Sequence, residues 1–94
     1  AVAEPNELII NVGDMLSRLT NNRLASTIHR VVNPPEKDWG KARYSIPFFM
    51  HPVPKMPLNC LPESIDENNP KKFDDITAGE FLNKRLIALG LLKD

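Results

Sequence analysis

His29, Arg43 and Ser45 are the side chains whose types and spacing carry chemistry. His29 sits inside Ser26-Thr27-Ile28-His29-Arg30-Val31-Val32, an apolar, β-branched run of the kind that forms a strand. A neutral imidazole there offers a nitrogen lone pair to a metal ion. Arg43 presents a planar guanidinium fork that matches a carboxylate at two points. Ser45, two residues on and about 6.5–7 Å along an extended chain, adds a hydroxyl donor towards the same anion. Arg-x-Ser on a strand therefore reads as an acid-binding pair. Taken singly, each residue has an ordinary explanation: a satisfied strand histidine, a strand-end ion pair, an uninformative serine. Their order, His-Arg-Val-Val-Asn-Pro followed by a loop and then Arg-Tyr-Ser-Ile-Pro-Phe-Phe, is more specific than any member.

The elements that must position them follow from periodicity. Leu8–Val12 reads as a short buried strand that ends at Gly13. Asp14 is placed to cap a helical turn over Met15–Leu19, which Asn21-Asn22 closes. In Ser26–Val32, alternation puts Thr27, His29 and Val31 on one face, and Asn33-Pro34-Pro35 ends the run. A polar loop with Trp39 and Gly40 leads to a third strand, Arg43–Met50, in which Arg43, Ser45, Pro47 and Phe49 share a face. Residues 51–70 read as an irregular crossing, with Met56–Leu61 at most a short strand. Thr77-Ala78-Gly79-Glu80 is a capping box, with Ile76 and Phe81 as its hydrophobic staple, and it opens a helix over Ala78–Leu89 that stops at Gly90.

Composition narrows the function classes. Ninety-four residues predict one domain. Twelve basic against twelve acidic residues give no net charge, which argues against nucleic acid or an anionic membrane as partner. Cys60 is alone, so no disulfide forms within the chain, and a single thiol suits a reducing, cytoplasmic setting. Trp39 is expected to cover a rim, Phe49 to pack, and Cys60 to be structural.

The ordered motifs resemble the C-terminal part of the iron(II)- and 2-oxoglutarate-dependent oxygenases, in the branch that includes isopenicillin N synthase and the plant dioxygenases. Asn11-Val12-Gly13-Asp14 resembles that family's Asn-x-Gly-Asp turn, His29-Arg30-Val31-Val32-Asn33-Pro34 its distal metal-binding segment, and Arg43-Tyr44-Ser45 its Arg-x-Ser. The opening of the last helix, Ile76–Leu82, is similar too. The resemblance implies a mainly β fold, a partial double-stranded β-helix (jelly roll, cupin-like) with a C-terminal α-helix. Residues 1–94 are then expected to be the C-terminal portion of one jelly-roll domain whose N-terminal portion is absent. It further implies His29 as a ligand of Fe(II), Arg43 and Ser45 as binders of 2-oxoglutarate, and oxidation of a small organic substrate by dioxygen. Because a protonated imidazole cannot ligate, activity is expected to fall on acidification. The family completes its site with a His-x-Asp pair, which does not occur in this sequence.

Two alternatives stand beside that expectation. Some relatives use Arg-x-Ser to hold the substrate's own carboxylate and take no 2-oxoglutarate. A jelly-roll binding or assembly module without a complete metal site would use the same Arg43 and Ser45 for an acid ligand. An incomplete barrel is also expected to seek the remainder of the barrel, or a second copy of the chain, at its open strand edges.

Overall fold

The computed structural model describes residues 2–93, in which two α-helices form: α1, Asp14–Leu19, and α2, Ala78–Ala88. The start of α2 follows the sequence closely. Thr77 Oγ1 accepts from the Glu80 N–H at 3.2 Å while the Thr77 N–H donates to Glu80 Oε2 at 2.9 Å, so the box is closed in both directions. Ile76 and Phe81 meet in the same apolar cluster, as a staple requires. The helix ends one residue earlier than the periodicity suggests, with Leu89 as its C-cap. Gly90 adopts φ +73°. Its N–H donates to the Ile87 carbonyl and the Leu91 N–H to the Leu86 carbonyl, both at 2.9 Å, which together make a Schellman stop.

The start of α1 differs from expectation. Gly13, not Asp14, is the N-cap, and no side chain caps the helix. Asp14 lies inside the first turn and its carboxylate is ion-paired with Arg85 of α2. An acidic residue in a first turn still favours the helix dipole, so Asp14 serves α1 without capping it. Asn21 and Asn22 turn the chain at φ +48° and +64°, a region that Asn tolerates better than other residues with a Cβ.

Among the described residues, all the buried side chains lie in α1, the turn after it, and residues 58–78. Leu58, Ile76 and Ala78 form the apolar centre, with Met15, Leu19 and Phe81 packed on it. Residues 54–58 and 76–79 run antiparallel for one bridge: Leu58 N–H donates to the Ile76 carbonyl at 2.7 Å and Ala78 N–H to the Met56 carbonyl at 2.9 Å. The possible strand over Met56–Leu61 thus reduces to a bridge at Pro57. Leu61 N–H donates to the Leu19 carbonyl at 2.8 Å and ties this segment to the end of α1. Arg18 locks the other side. Its guanidinium stands 5.0 Å and 5.3 Å from the ring centroids of Phe73 and Phe81, and it donates to the Asp74 carbonyl at 2.8 Å and carboxylate at 2.5 Å. The resulting unit, α1 with residues 54–91, is called the clasp below.

Its ion pairs respond to acid. Asp14 is held below the ordinary carboxylate value of 3.8 by Arg85, Asp66 by the Asn68 N–H and Arg23, and Asp74 by Arg18. Glu80 is held below 4.5 by the Thr77 N–H and hydroxyl. A depressed folded value contributes stability that is complete above the unfolded value and is lost as pH falls through the folded one. The urea midpoint of the clasp is therefore expected to hold steady above about pH 5 and to decline progressively below about pH 4. A midpoint that stays flat down to pH 2 would show that these pairs contribute nothing.

The expected mainly β architecture is not formed by the described residues. Leu8–Val12, Ser26–Val32 and Arg43–Met50 carry no ladder, and both parities of each stand in solvent: Ile28 is 99% exposed, Tyr44 90% and Ile46 96%. The physical reason is that a strand needs a neighbour to take its N–H and C=O groups and another layer to cover its apolar face. Neither lies among the described residues. The dimensions agree: the radius of gyration is 17.2 Å, against about 12–13 Å for a compact chain of this length. The accessible surface is 8688 Å², against about 5,500 Å² for a folded monomer of this mass.

Candidate functional site

His29, Arg43 and Ser45 all lie on one excursion of chain, residues 24–53, that leaves the clasp and returns to it. At the exit, Arg23 Nε donates to the Ser64 carbonyl at 3.2 Å, its guanidinium pairs with Asp66, and Leu24 N–H donates to Thr20 Oγ1 at 3.2 Å. At the return, Gly79 N–H donates to the Pro54 carbonyl at 3.0 Å. The approach is tight enough that a Cβ on Gly79 would stand 3.1 Å from the Pro54 Cβ and 3.2 Å from its carbonyl oxygen. Both roots of the excursion are thereby fixed.

On that excursion the three side chains are exposed, and no hydrogen bond or ion pair among the described residues joins any two of them. His29 Nδ1 lies 2.8 Å from the Thr27 carbonyl oxygen. A carbonyl only accepts, so this bond requires the proton on Nδ1, and the neutral ring then carries its lone pair on Nε2. A backbone acceptor on the far nitrogen is the usual way a ligating imidazole is set in one tautomer. Arg43 and Ser45 have no polar partner among the described residues and are both available to an anion. No group of three His, Cys, Asp or Glu side chains converges among those residues, so His29 stands there as a single nitrogen donor. His51, the other histidine, has its ring 6.2 Å from that of Phe49.

Several residues behave otherwise than the sequence suggests. Trp39 covers no rim: it is largely exposed and its indole N–H donates to the Pro34 carbonyl at 3.0 Å, within its own loop. Phe49 does not pack in a core and is 75% exposed. Cys60 is structural as expected, buried with its thiol donating to Asn21 Oδ1 at 3.6 Å. Lys71 balances Asp75 at 2.6 Å. A groove of about 530 Å³ runs past Cys60, Leu61 and Lys71 on the clasp, remote in sequence from the three site residues and lined by none of them.

Asn21, read from sequence only as a turn residue, is the hub of the clasp. It is fully buried, and its Nδ2 donates to the Asn69 and Pro70 carbonyls at 3.1 Å and 3.0 Å while Oδ1 accepts from the Lys72 N–H at 2.9 Å. Asn69 Nδ2 returns a bond to the Asn21 carbonyl at 3.2 Å. The consecutive asparagines were the only sequence signal for it.

Comparison with known proteins gives these positions a context. Residues 2–52 match the model of the 2OG-Fe(II) oxygenase superfamily, a span that contains His29, Arg43 and Ser45. The chain belongs to that superfamily. It is 39% identical over 88 residues to kihadalactone A synthase of Citrus sinensis, covering 92% of this chain and 25% of that protein. It is 35% identical over 83 residues to a 2-oxoglutarate-Fe(II) type oxidoreductase of Metarhizium majus, covering 87% and 24%. A crystal structure assigned to the 2OG-Fe(II) oxygenase family, from Caulobacter crescentus, superposes with a TM-score of 0.78 at 49% identity, over 84% of this chain and 26% of that one. The chain thus spans about a quarter of the length of the relatives it matches. No helix among the described residues is long and apolar enough to cross a membrane.

Proposed function

We propose that residues 1–94 are the C-terminal portion of one oxygenase domain, a segment of a double-stranded β-helix closed by α2, in which His29 ligates iron and Arg43 with Ser45 binds 2-oxoglutarate. The observation that carries this reading is the His29 imidazole, fixed by the Thr27 carbonyl so that Nε2 is the free donor, inside a segment that matches the family. When bound, iron(II) and 2-oxoglutarate supply the activation of dioxygen against a small organic substrate.

The chain's own contribution is binding and orientation. Arg43 neutralises a carboxylate and fixes its plane through two parallel N–H donors, and Ser45 adds an O–H donor from the same side of an extended backbone. Pairing of residues 8–12, 26–32 and 43–50 with further strands of the barrel, or with a second copy of the chain, would satisfy their backbone groups and cover the apolar side chains now in solvent. Enclosure also strengthens the site, because a guanidinium–carboxylate pair is worth more once water is excluded.

Arg43→Ala tests the acid-binding role in the full-length oxygenase. Loss of a charge-assisted, two-point contact worth about 1.5–3 kcal/mol is expected to raise the 2-oxoglutarate needed for half-maximal turnover by about 10–100-fold. Arg43→Lys keeps the charge without the fork and should fall between. An unchanged 2-oxoglutarate requirement with a raised substrate KM would assign the pair to the substrate's own carboxylate.

A further inference from the structure

Fourteen positions separate His29 from Arg43, which an extended chain stretches to about 46–50 Å, so for the two to serve one site the chain must turn back between them. Residues 34–41 make that turn. Apart from the contact of His29 with the Thr27 carbonyl, the hydrogen bonds that lie wholly within residues 25–52, among the described residues, belong to this loop. Around a single 3-10 turn, Glu36–Asp38, the Asp38 N–H donates to the Pro35 carbonyl at 2.8 Å, the Trp39 N–H to the Glu36 carbonyl at 3.0 Å and the Lys41 N–H to the Asp38 carbonyl at 3.1 Å. Each of these reaches back only three residues. The Trp39 indole reaches further: its Nε1–H donates to the Pro34 carbonyl at 3.0 Å, five positions back, and that carbonyl has no other donor among the described residues. The ring itself is 64% exposed, so its contribution lies in the N–H and not in packing.

We propose that Trp39 is a positioning residue, whose indole closes the turn that places Arg43 relative to His29. Bringing two stretches of chain together costs conformational entropy, and a turn already held by its own bonds has met that cost before a ligand arrives. Pro34 and Pro35 fix φ at the entry, and the three backbone bonds fix the middle of the loop. The indole bond alone joins the end of the His29 segment to the approach of the Arg43 segment, so its loss lets the two splay without unfolding either. The effect falls on a ligand that needs both segments in place and spares one that needs His29 without Arg43.

The inference rests on the reading in which His29 and Arg43 serve one site, and the experiment separates the two. In the full-length oxygenase, Fe(II) affinity is measured by chelator competition and 2-oxoglutarate affinity by titration of the iron-loaded protein. Two variants are compared: Trp39→Phe keeps an aromatic ring and removes the N–H, while Lys37→Ala alters a loop side chain that has no polar partner among the described residues. Trp39→Phe is expected to weaken 2-oxoglutarate binding by about 3–10-fold, as loss of one hydrogen bond does, and to leave Fe(II) affinity within about twofold. Lys37→Ala should alter neither. Unchanged 2-oxoglutarate affinity in Trp39→Phe, or an equal loss in Lys37→Ala, would overturn the positioning role. A matching loss of Fe(II) affinity in Trp39→Phe would also do so, since general support of the fold moves both affinities together. Arg43→Ala reports on the underlying reading: if it binds 2-oxoglutarate as tightly as the unsubstituted protein, the acid-binding assignment fails, and this inference with it.

Discussion

Replacing His29 with alanine is expected to abolish turnover in the full-length oxygenase and to weaken Fe(II) binding by more than about a hundredfold. Removal of a group that merely orients a metal ligand costs about 10–100-fold in affinity, so loss of the ligand must cost more. The segment offers no replacement: Thr27 and Val31, which share the alternation of His29, have no nitrogen donor in their side chains, and His51 stands beyond Arg43 and Ser45 on the chain. Thr27 supplies a control. Its carbonyl, not its hydroxyl, holds Nδ1, so Thr27→Val should leave iron affinity nearly unchanged. Iron binding should also weaken on acidification, because a proton on Nε2 occupies the lone pair the metal needs. Competition titrations of Fe(II) against a chelator measure all three. Retention of full affinity by His29→Ala would remove the metal role from this segment.

The second large effect concerns Asn21, which touches no proposed ligand. Asn21→Ala strips the partner from the Lys72 N–H and the Pro70 carbonyl and leaves the Asn69 carbonyl with the Asp66 N–H alone, while a Cβ remains at φ +48°. At about 1–3 kcal/mol for a buried group left unsatisfied, and with water reaching the partly buried ones, the expected loss is about 2–3 kcal/mol. Native-state hydrogen exchange at the Leu58 and Ala78 amides, which donate within the core bridge, should quicken by about a hundredfold. Asn21→Gly separates the two contributions: it removes the cost of a positive φ yet loses the same side-chain bonds. It should regain no more than about 1 kcal/mol of the loss. Asn21→Asp is expected to be at least as damaging as alanine, because a carboxylate oxygen would face the Asn69 and Pro70 carbonyls where Nδ2 now donates. Protection that survives in all three variants would show that the network holds nothing together.

What was legible in the sequence follows the range of the interactions concerned. The capping box at Thr77 and Glu80 and the stop at Gly90 are read within a few residues, and the structure has both. The turn at Asn21-Asn22 was legible for the same reason. The misreading of Asp14 arose because a Gly can cap as well as an Asp, and the deciding partner, Arg85, lies 71 residues away. Leu8–Val12, Ser26–Val32 and Arg43–Met50 are expected as strands and form none among the described residues, because a ladder is a relation between two segments. Where none of these segments is paired with another, propensity alone leaves exposed chain. The exposure of His29, Arg43 and Ser45 has the same origin and does not weigh against the family. A lumen exists only once strands close around it, and this chain spans about a quarter of its relatives' length.

By itself, then, the order of residues determined the family and singled out the three side chains proposed for its site, because that information lies in types and spacings along the chain. Tertiary structure alone decided that Asn21 and Arg18 hold the clasp, that Gly79 seats Pro54, and that Asp14 joins α1 to Arg85 of α2. Each of these depends on groups far apart in sequence meeting within a few ångströms, and hydrogen bonds and ion pairs act only at that distance.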